Sequence, residues 1–319
     1  MLKNPKLLAV ATVFMWAIFA PVAKAISDRS QYLFVAGTFL CSFITFGGVG
    51  LLRWRRQKGQ GFRGFKATYL FYGLFGFFFY YLGLNNCFRE FPTAGGTVVL
   101  NYTWPIFTVI FSELIFRRTR KPVLYRLVEW TGIGIAFFAV YVLATKGQLG
   151  AVDFSRVAGL SWGLMAGASY GFFSAYSSTV PQSSQGLFLL ISTFVSFFAM
   201  LPLAATETYL LSSMTFTDVL LMFTMGGVLN ALGNFFWTSA NIQAREKNID
   251  ISSVSSIIFF LPVISVILVS LIFREEELLK PYFAITILLL TGGSWLCQKT
   301  SWIVDLITGQ RSTKPIRPE

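Results

Sequence analysis

Apolar runs of about twenty residues recur from one end of this chain to the other, separated by short polar connections. No other feature of the sequence limits the fold as strongly. The hydrocarbon core of a bilayer is roughly 30 Å thick, and a helix crosses it in about 20 residues. Backbone groups find no water there, so only helices and closed barrels cross it, and runs of this length select helices. Only 13% of the 319 residues are charged, about half the share of a soluble domain. The sequence therefore predicts an all-α membrane protein with ten spans, at approximately 7–26, 31–52, 67–88, 94–116, 123–145, 157–180, 186–205, 216–241, 250–273 and 281–303. The first run carries Lys24 and lacks an Ala-x-Ala cleavage pattern, so it is read as a helix rather than a signal peptide. The tail at 309–319 is polar, contains two prolines and reads as disordered.

Charge placement orients the spans. With the N-terminus in the cytoplasm, 19 Lys and Arg fall inside and 7 outside, the bias expected of cytoplasmic loops. Both termini are then cytoplasmic, and short loops without a soluble domain fit a bacterial cytoplasmic membrane. The net charge of +12 lies in those loops and is no nucleic-acid footprint. Glu207 and Lys24 read as interfacial.

The chain also repeats itself. Asn85-x3-Arg89-Glu90 finds Asn241-x3-Arg245-Glu246, Pro105 finds Pro262, Leu-Ile-Phe-Arg at 114–117 returns at 271–274, and Thr131-Gly132 finds Thr291-Gly292. Four matches in order, 156 to 160 positions apart, imply a tandem repeat. Residues 1–149 and 150–308 each hold five spans, and an odd number makes the second half enter from the opposite side. Inverted repeats of this kind support alternating access around a site near the midplane.

The candidate site centres on Leu100-Asn101-Tyr102-Thr103-Trp104-Pro105. Pro105 has no N–H for the carbonyl of Asn101 and pushes it aside, and Pro262 does the same in the second half. These two prolines are the expected helix breaks or gates. Thr97, Asn101, Trp104, Thr108 and Ser112 recur at helical spacing, so their polar groups share one face. The repeat counterparts of Asn101 and Trp104 are Ile258 and Leu261, so the halves differ where a substrate would touch. Asn230, Asn234, Trp237 and Asn241 form a second row, whose alternative reading is a hydrogen-bonded seam between helices. Trp16, Tyr80, Tyr81, Trp162, Ser169 and Tyr176 complete the set, with Trp162, Ser169 and Tyr176 read as one face. Trp and Tyr also serve as interfacial anchors. Glu113 is the candidate coupling carboxylate, and an ion pair with Arg117 one turn on is its plainer role. The glycine runs around Gly73, Gly132, Gly163 and Gly292 read as sites of close helix approach.

Absences narrow the chemistry. There is no histidine, which removes imidazole proton relays, His ligands and Ser-His or Cys-His catalysis. The three cysteines, Cys41, Cys87 and Cys297, show no metal spacing, and no cofactor is expected. No cation lies near the midplane to meet a phosphate, and no carboxylate to hold a metal ion. No Gly-x4-Gly-Lys loop for ATP occurs. Intramembrane enzymes need convergent acids, His, Cys or ligands, which are absent here. A lipid-handling protein would show a polar groove open to lipid. A carrier of neutral or zwitterionic solutes, or of flat organic cations held on aromatic faces, remains.

Two inverted five-helix halves resemble the drug/metabolite transporter superfamily, specifically its EamA-type members. The Asn101-Tyr102-Thr103-Trp104-Pro105 run and Trp237-x3-Asn241 are similar to YddG-type bacterial exporters of aromatic amino acids and methyl viologen. The resemblance implies an aromatic-lined cavity between spans 1, 3, 4, 6, 8 and 9 and export of aromatic or neutral amino acids. Organic-cation drugs and nucleoside-like metabolites are the alternative cargo. The expected partners are a small-molecule substrate and the bilayer, with no nucleic acid, in a monomer or weak homodimer. Topology reporters test the orientation: alkaline phosphatase fused after Lys58 should be inactive and after Gln148 active, and the reverse pattern would invert the chain.

Overall fold

The structure is a computed structural model that describes residues 4–27, 32–56, 64–91, 94–114, 122–148, 157–177, 179–246, 256–274, 276 and 280–309. Within these residues the regular elements are all helical, with no strand. The helices are α1 (Pro5–Ser27), α2 (Tyr32–Arg56), α3 (Thr68–Gly73), α4 (Tyr80–Glu90), α5 (Ala94–Asn101), α6 (Trp104–Leu114), α7 (Val123–Ala144) and α8 (Val157–Ser177). They continue as α9 (Gln185–Ala205), α10 (Phe216–Phe223), α11 (Gly233–Glu246), α12 (Leu261–Phe273), α13 (Pro281–Gln298) and α14 (Thr300–Thr308). A π turn, Leu74–Phe79, joins α3 to α4, and a second, Thr224–Leu232, joins α10 to α11. A 3₁₀ turn, Ser256–Phe260, leads into α12.

Five of these stretches are long and apolar enough to cross a membrane: Pro5–Ala25, Tyr32–Gly50, Val123–Leu143, Gln185–Ala205 and Phe216–Trp237. Shorter apolar helices occupy Gly96–Phe111 and Leu261–Phe273. With Phe14, Ile44, Leu114, Leu127, Phe198 and Leu288 turned outward from the core, this is a multi-pass integral membrane protein.

Three boundaries differ from the sequence reading. The segment at 94–116 is not one kinked helix: a turn at Tyr102–Thr103 separates α5 from α6. Pro105 lies at the start of α6, where its missing N–H costs little, and the Thr103 hydroxyl caps the Leu100 carbonyl at 2.7 Å. Pro262 likewise sits in the first turn of α12, after the 3₁₀ turn. The last span ends at Gln298, and α14 follows as a separate short helix. Residues 250–255, 115–121 and the tail from 310 lie outside the described residues.

Glycine sets the tightest crossings. A Cβ on Gly132 of α7 would sit 2.6 Å from the Gly293 carbonyl oxygen of α13, so the two backbones touch there. Along α8, Gly163, Gly167 and Gly171 admit Leu100, Thr103 and Phe107 of the broken α5–α6 pair. Charge closes one end of the bundle: the Glu207 carboxylate accepts the backbone N–H groups of Tyr32 and Leu33 at 2.7 and 2.9 Å, capping α2. Asp218 and Thr215 form a capping box at the start of α10. Most buried apolar side chains fall into one continuous cluster that runs from α1 to α13.

The Gly132 contact is testable against a neighbour on the same helix. Gly132→Ala should lower the melting temperature, since overpacking costs about 1–3 kcal/mol. Gly134→Ala, whose Cβ would meet nothing within 4 Å, should be neutral or slightly stabilising by helix propensity. Equal effects in a thermal denaturation assay would contradict the crossing.

Candidate functional site

Where α1, the first π turn, α4, the α5–α6 break, α8, the second π turn and α12 meet, they enclose a cavity. Trp16, Phe19, Phe77, Tyr80, Tyr81, Trp104 and Tyr170 give it aromatic walls, and Asn101, Tyr102, Asn230 and Asn234 contribute polar groups. About 50 Å³ is open to the centre of a water-sized sphere, several times the roughly 10–15 Å³ that one water needs. A second cavity of about 60 Å³ adjoins it. Trp16, Trp104, Tyr170 and Asn234 belong to both and form the neck between them, and Ser174, Ser177, Gln185 and Trp237 line the far side. No charged side chain lines either cavity.

The aromatic walls hold themselves in place. Trp16 and Trp237 lie 5.9 Å apart, and Trp16 rests over Gly233, where a Cβ would meet its Nε1 at 2.5 Å. Tyr170 stands edge-on to Trp104 at 5.3 Å and tilts against Tyr80 at 5.0 Å. Tyr81 is edge-on to Phe19, Phe39 and Tyr80. Such pairs add about 0.5–1.5 kcal/mol each beyond burial, so the rings form a preset surface.

The polar groups fall into three states. The Tyr102 hydroxyl is engaged with Ser265 of α12 at 2.6 Å, tying the α5–α6 turn to the second half. Asn230 and Asn234 belong to a chain. Tyr170 donates to the Asn234 Oδ1 at 3.4 Å, the Asn234 amide donates to the Asn230 Oδ1 at 3.0 Å, and the Asn230 amide donates to the Ser42 hydroxyl at 3.0 Å. Asn230 and Asn234 thus lie both in a hydrogen-bonded seam between helices and in the lining of the cavity. The Asn101 Oδ1 and the Tyr81 hydroxyl are buried without a hydrogen-bond partner. A buried polar atom left so costs about 1–3 kcal/mol, and a ligand that pairs with it recovers that cost.

Of the sequence candidates, Trp16, Tyr80, Tyr81, Asn101, Tyr102, Trp104, Asn230 and Asn234 come together around the first cavity, and Trp237 around the second. Pro105 and Pro262 line a small apolar recess beside them with Ile258 and Leu290. Trp162 and Ser169 line none of these. Their shared face on α8 is offset from the one that meets the cavity, which runs Tyr170, Phe173, Ser174, Ser177. Ser169 is buried, and the Trp162 carbonyl packs against Gly83. Tyr176 stacks on Tyr72 at 3.5 Å, with its hydroxyl 2.7 Å from the Thr68 Oγ1. Tyr170 is thus the wall residue of α8 that spacing missed, although it flanks the Gly163–Gly167–Gly171 stripe that turns toward α5 and α6. The side chains of Glu113, Ser112 and Asn241 lie outside the described residues. A second acid within a span, Glu129, is buried on α7, where its backbone carbonyl accepts the Cys297 thiol at 3.3 Å. Among the described residues no three His, Cys, Asp or Glu side chains gather as for a metal ion.

Comparison with known proteins gives a partial likeness. Residues 5–145, from α1 through α7, match the EamA-like transporter family, which indicates a small-molecule transporter. No curated protein sequence matches the chain. One solved crystal structure of a protein is 16% identical, covers 99% of this chain and 100% of its own, and superposes with a TM-score of 0.57, a likeness of fold. The offset on α8 can be read by labelling. In a chain whose own three cysteines are replaced by serine, Tyr170→Cys should react with a small water-soluble thiol reagent and Ser169→Cys should not. Equal labelling would remove Tyr170 from the wall.

Proposed function

We propose that this chain is a secondary transporter of the drug/metabolite transporter superfamily that exports aromatic or other neutral amino acids by alternating access. It does so in a bacterial cytoplasmic membrane, as a monomer or weak homodimer. Ten spans in two inverted five-helix halves, with both termini cytoplasmic, are the architecture behind it. Substrate contacts are assigned to Asn101, Trp104, Tyr80, Tyr81, Trp16, Tyr170, Asn230, Asn234 and Trp237, with the breaks before Pro105 and Pro262 as hinges.

One observation carries the reading: the cavity is divided between rings and amides and contains no net charge. A phosphate or a metal ion would enter it unpaired, which a low-dielectric site does not tolerate. A zwitterion brings its own counter-charge. Its ring matches the tilted faces of Trp16, Tyr81 and Trp104, and its ammonium and carboxylate match the Asn101 Oδ1 and the asparagine amides. The neighbouring rings of Trp16 and Trp237, tilted 46° to one another, favour one second reading, a flat organic cation, through contacts of about 0.5–2 kcal/mol per ring.

Uptake of radiolabelled phenylalanine, tryptophan and threonine into proteoliposomes separates these readings. We expect saturable phenylalanine and tryptophan flux, unchanged by a pH gradient because no carboxylate lines either cavity. Asn101→Ala and Trp104→Ala should each lower it about tenfold, in line with a lost buried pairing of about 1–3 kcal/mol. Flux that requires the gradient would move the coupling role to Glu113. Absent amino-acid flux together with saturable flux of a radiolabelled quaternary cation would replace the substrate class.

A further inference from the structure

The two π turns are held by matching contacts from opposite halves of the chain. Ser42 of α2 donates its hydroxyl to the Gly226 carbonyl in the second π turn at 2.8 Å. Ser196 of α9 donates to the Gly73 carbonyl, at the entry to the first π turn, at 3.3 Å. The serines are 154 positions apart and the glycines 153, close to the spacing of the other repeats. One turn before each serine the same glycine packs on backbone. A Cβ on Gly226 would strike the carbonyl oxygen of Thr38, and one on Gly73 would sit 2.6 Å from the Cα of Ser192. Thr38 and Ser192 are again 154 apart. Two such coincidences of hydroxyl, glycine and π turn do not arise from independent packing.

We infer that Ser42 and Ser196 are an equivalent pair of pins, each fixing the π turn of the opposite half, and that Ser42 alone also positions the polar wall of the cavity. A π turn shifts backbone bonding from i→i+4 to i→i+5 and loosens the ladder at its edges, so a carbonyl there is the natural acceptor for a hydroxyl from a neighbouring helix. Each pin lies one and two turns before residues that line the cavity; the rings that follow Gly73 are held by one another, whereas the amides that follow Gly226 are held through Ser42. Four and eight positions after Gly73 come Phe77 and Tyr81, and four and eight after Gly226 come Asn230 and Asn234; all four line the cavity. The equivalent positions thus build an apolar wall from one half and a polar wall from the other.

The two pins differ in what they carry beyond the glycine. The Ser42 hydroxyl donates to Gly226 and accepts from Asn230, whose Oδ1 receives Asn234, whose Oδ1 receives Tyr170. Removing that hydroxyl orphans the Asn230 amide and frees the chain to reorient. On the other side Phe77 stands where Asn230 does, so the Ser196 pin ends at the backbone. Ser42 is therefore a positioning residue for the site, and Ser196 a purely conformational one. This role of Ser42 rests on the reading of the cavity as the substrate site; the pinning does not.

The test uses full-length protein in nanodiscs carrying Ser42→Ala or Ser196→Ala. Hydrogen exchange should rise about 3- to 10-fold, the effect of one lost buried hydrogen bond, in a crossed pattern: residues 224–234 in Ser42→Ala, residues 73–81 in Ser196→Ala. In unfolding experiments Ser42→Ala should be non-additive with Asn230→Ala, while Ser196→Ala should be additive with it. Tryptophan as probe should bind about 5-fold more weakly to Ser42→Ala and within about 2-fold of wild type to Ser196→Ala, read by thermal stabilisation. Exchange that rises in both segments or in neither overturns the pins. Additivity of Ser42 with Asn230, or equal loss of tryptophan binding in both variants, overturns the positioning role. Should wild type bind neither tryptophan nor phenylalanine, the amino-acid reading fails, and the crossed exchange and the double-mutant cycle still decide this one.

Discussion

Irregular backbone at membrane depth has to find its partners in protein or at a wet cavity, and the architecture follows from where that is possible. In hydrocarbon, non-helical backbone survives only against protein or around a wet cavity. The structure has two π turns, a broken helix at Tyr102–Thr103 and a 3₁₀ turn before Pro262, and residues from all four line the two cavities or the recess beside them. Three of the affected carbonyls, those of Leu100, Gly73 and Gly226, accept a Thr or Ser hydroxyl. Gathering the interruptions in one place makes the cavity, and small hydroxyl side chains make the interruptions tolerable.

The same economy shapes the walls. The rings are locked by one another, and Tyr102 is spent on Ser265, so few polar atoms remain to meet a solute. Asn101 and Tyr81 carry unpartnered atoms, while Asn230 and Asn234 are already linked. On the proposed reading, the first pair would supply new pairing energy on binding, and the second an oriented field whose direction follows from the packing of α2 against the second π turn.

Much of this was legible in the sequence, and the exceptions have physical causes. Apolar runs marked the helices because hydrocarbon thickness sets their length. Pro105 beside Asn101 pointed to an interruption of the helix, which the structure places at the Tyr102–Thr103 turn just before it. Spacing failed on α8, where Trp162, Ser169 and Tyr176 share a face but Tyr170, Phe173, Ser174 and Ser177 meet the cavity; heptad spacing says which residues share a face, not where that face points. The glycine stripe on the same helix was the better guide, since its direction is fixed by the partner it admits. The π turns left no periodicity to read: they disturb it, and Gly73 and Gly226 announce themselves only beside the hydroxyls they meet in space. The break of α13 from α14 falls at the polar run Gln298-Lys299-Thr300-Ser301, which the span at 281–303 had carried through because apolar residues resume on its far side.

The pairing of Phe77 with Asn230 and of Tyr81 with Asn234 has an orientational consequence. A cavity with a ring-facing wall and an amide-facing wall defines an axis, and a solute lying along it can still rotate about that axis. The Asn101 Oδ1, on neither wall's helix, adds a third point unlike the other two. Three non-equivalent points fix which way round an asymmetric solute lies along that axis as well as its rotation about it, whereas two matching walls would accept it in either direction.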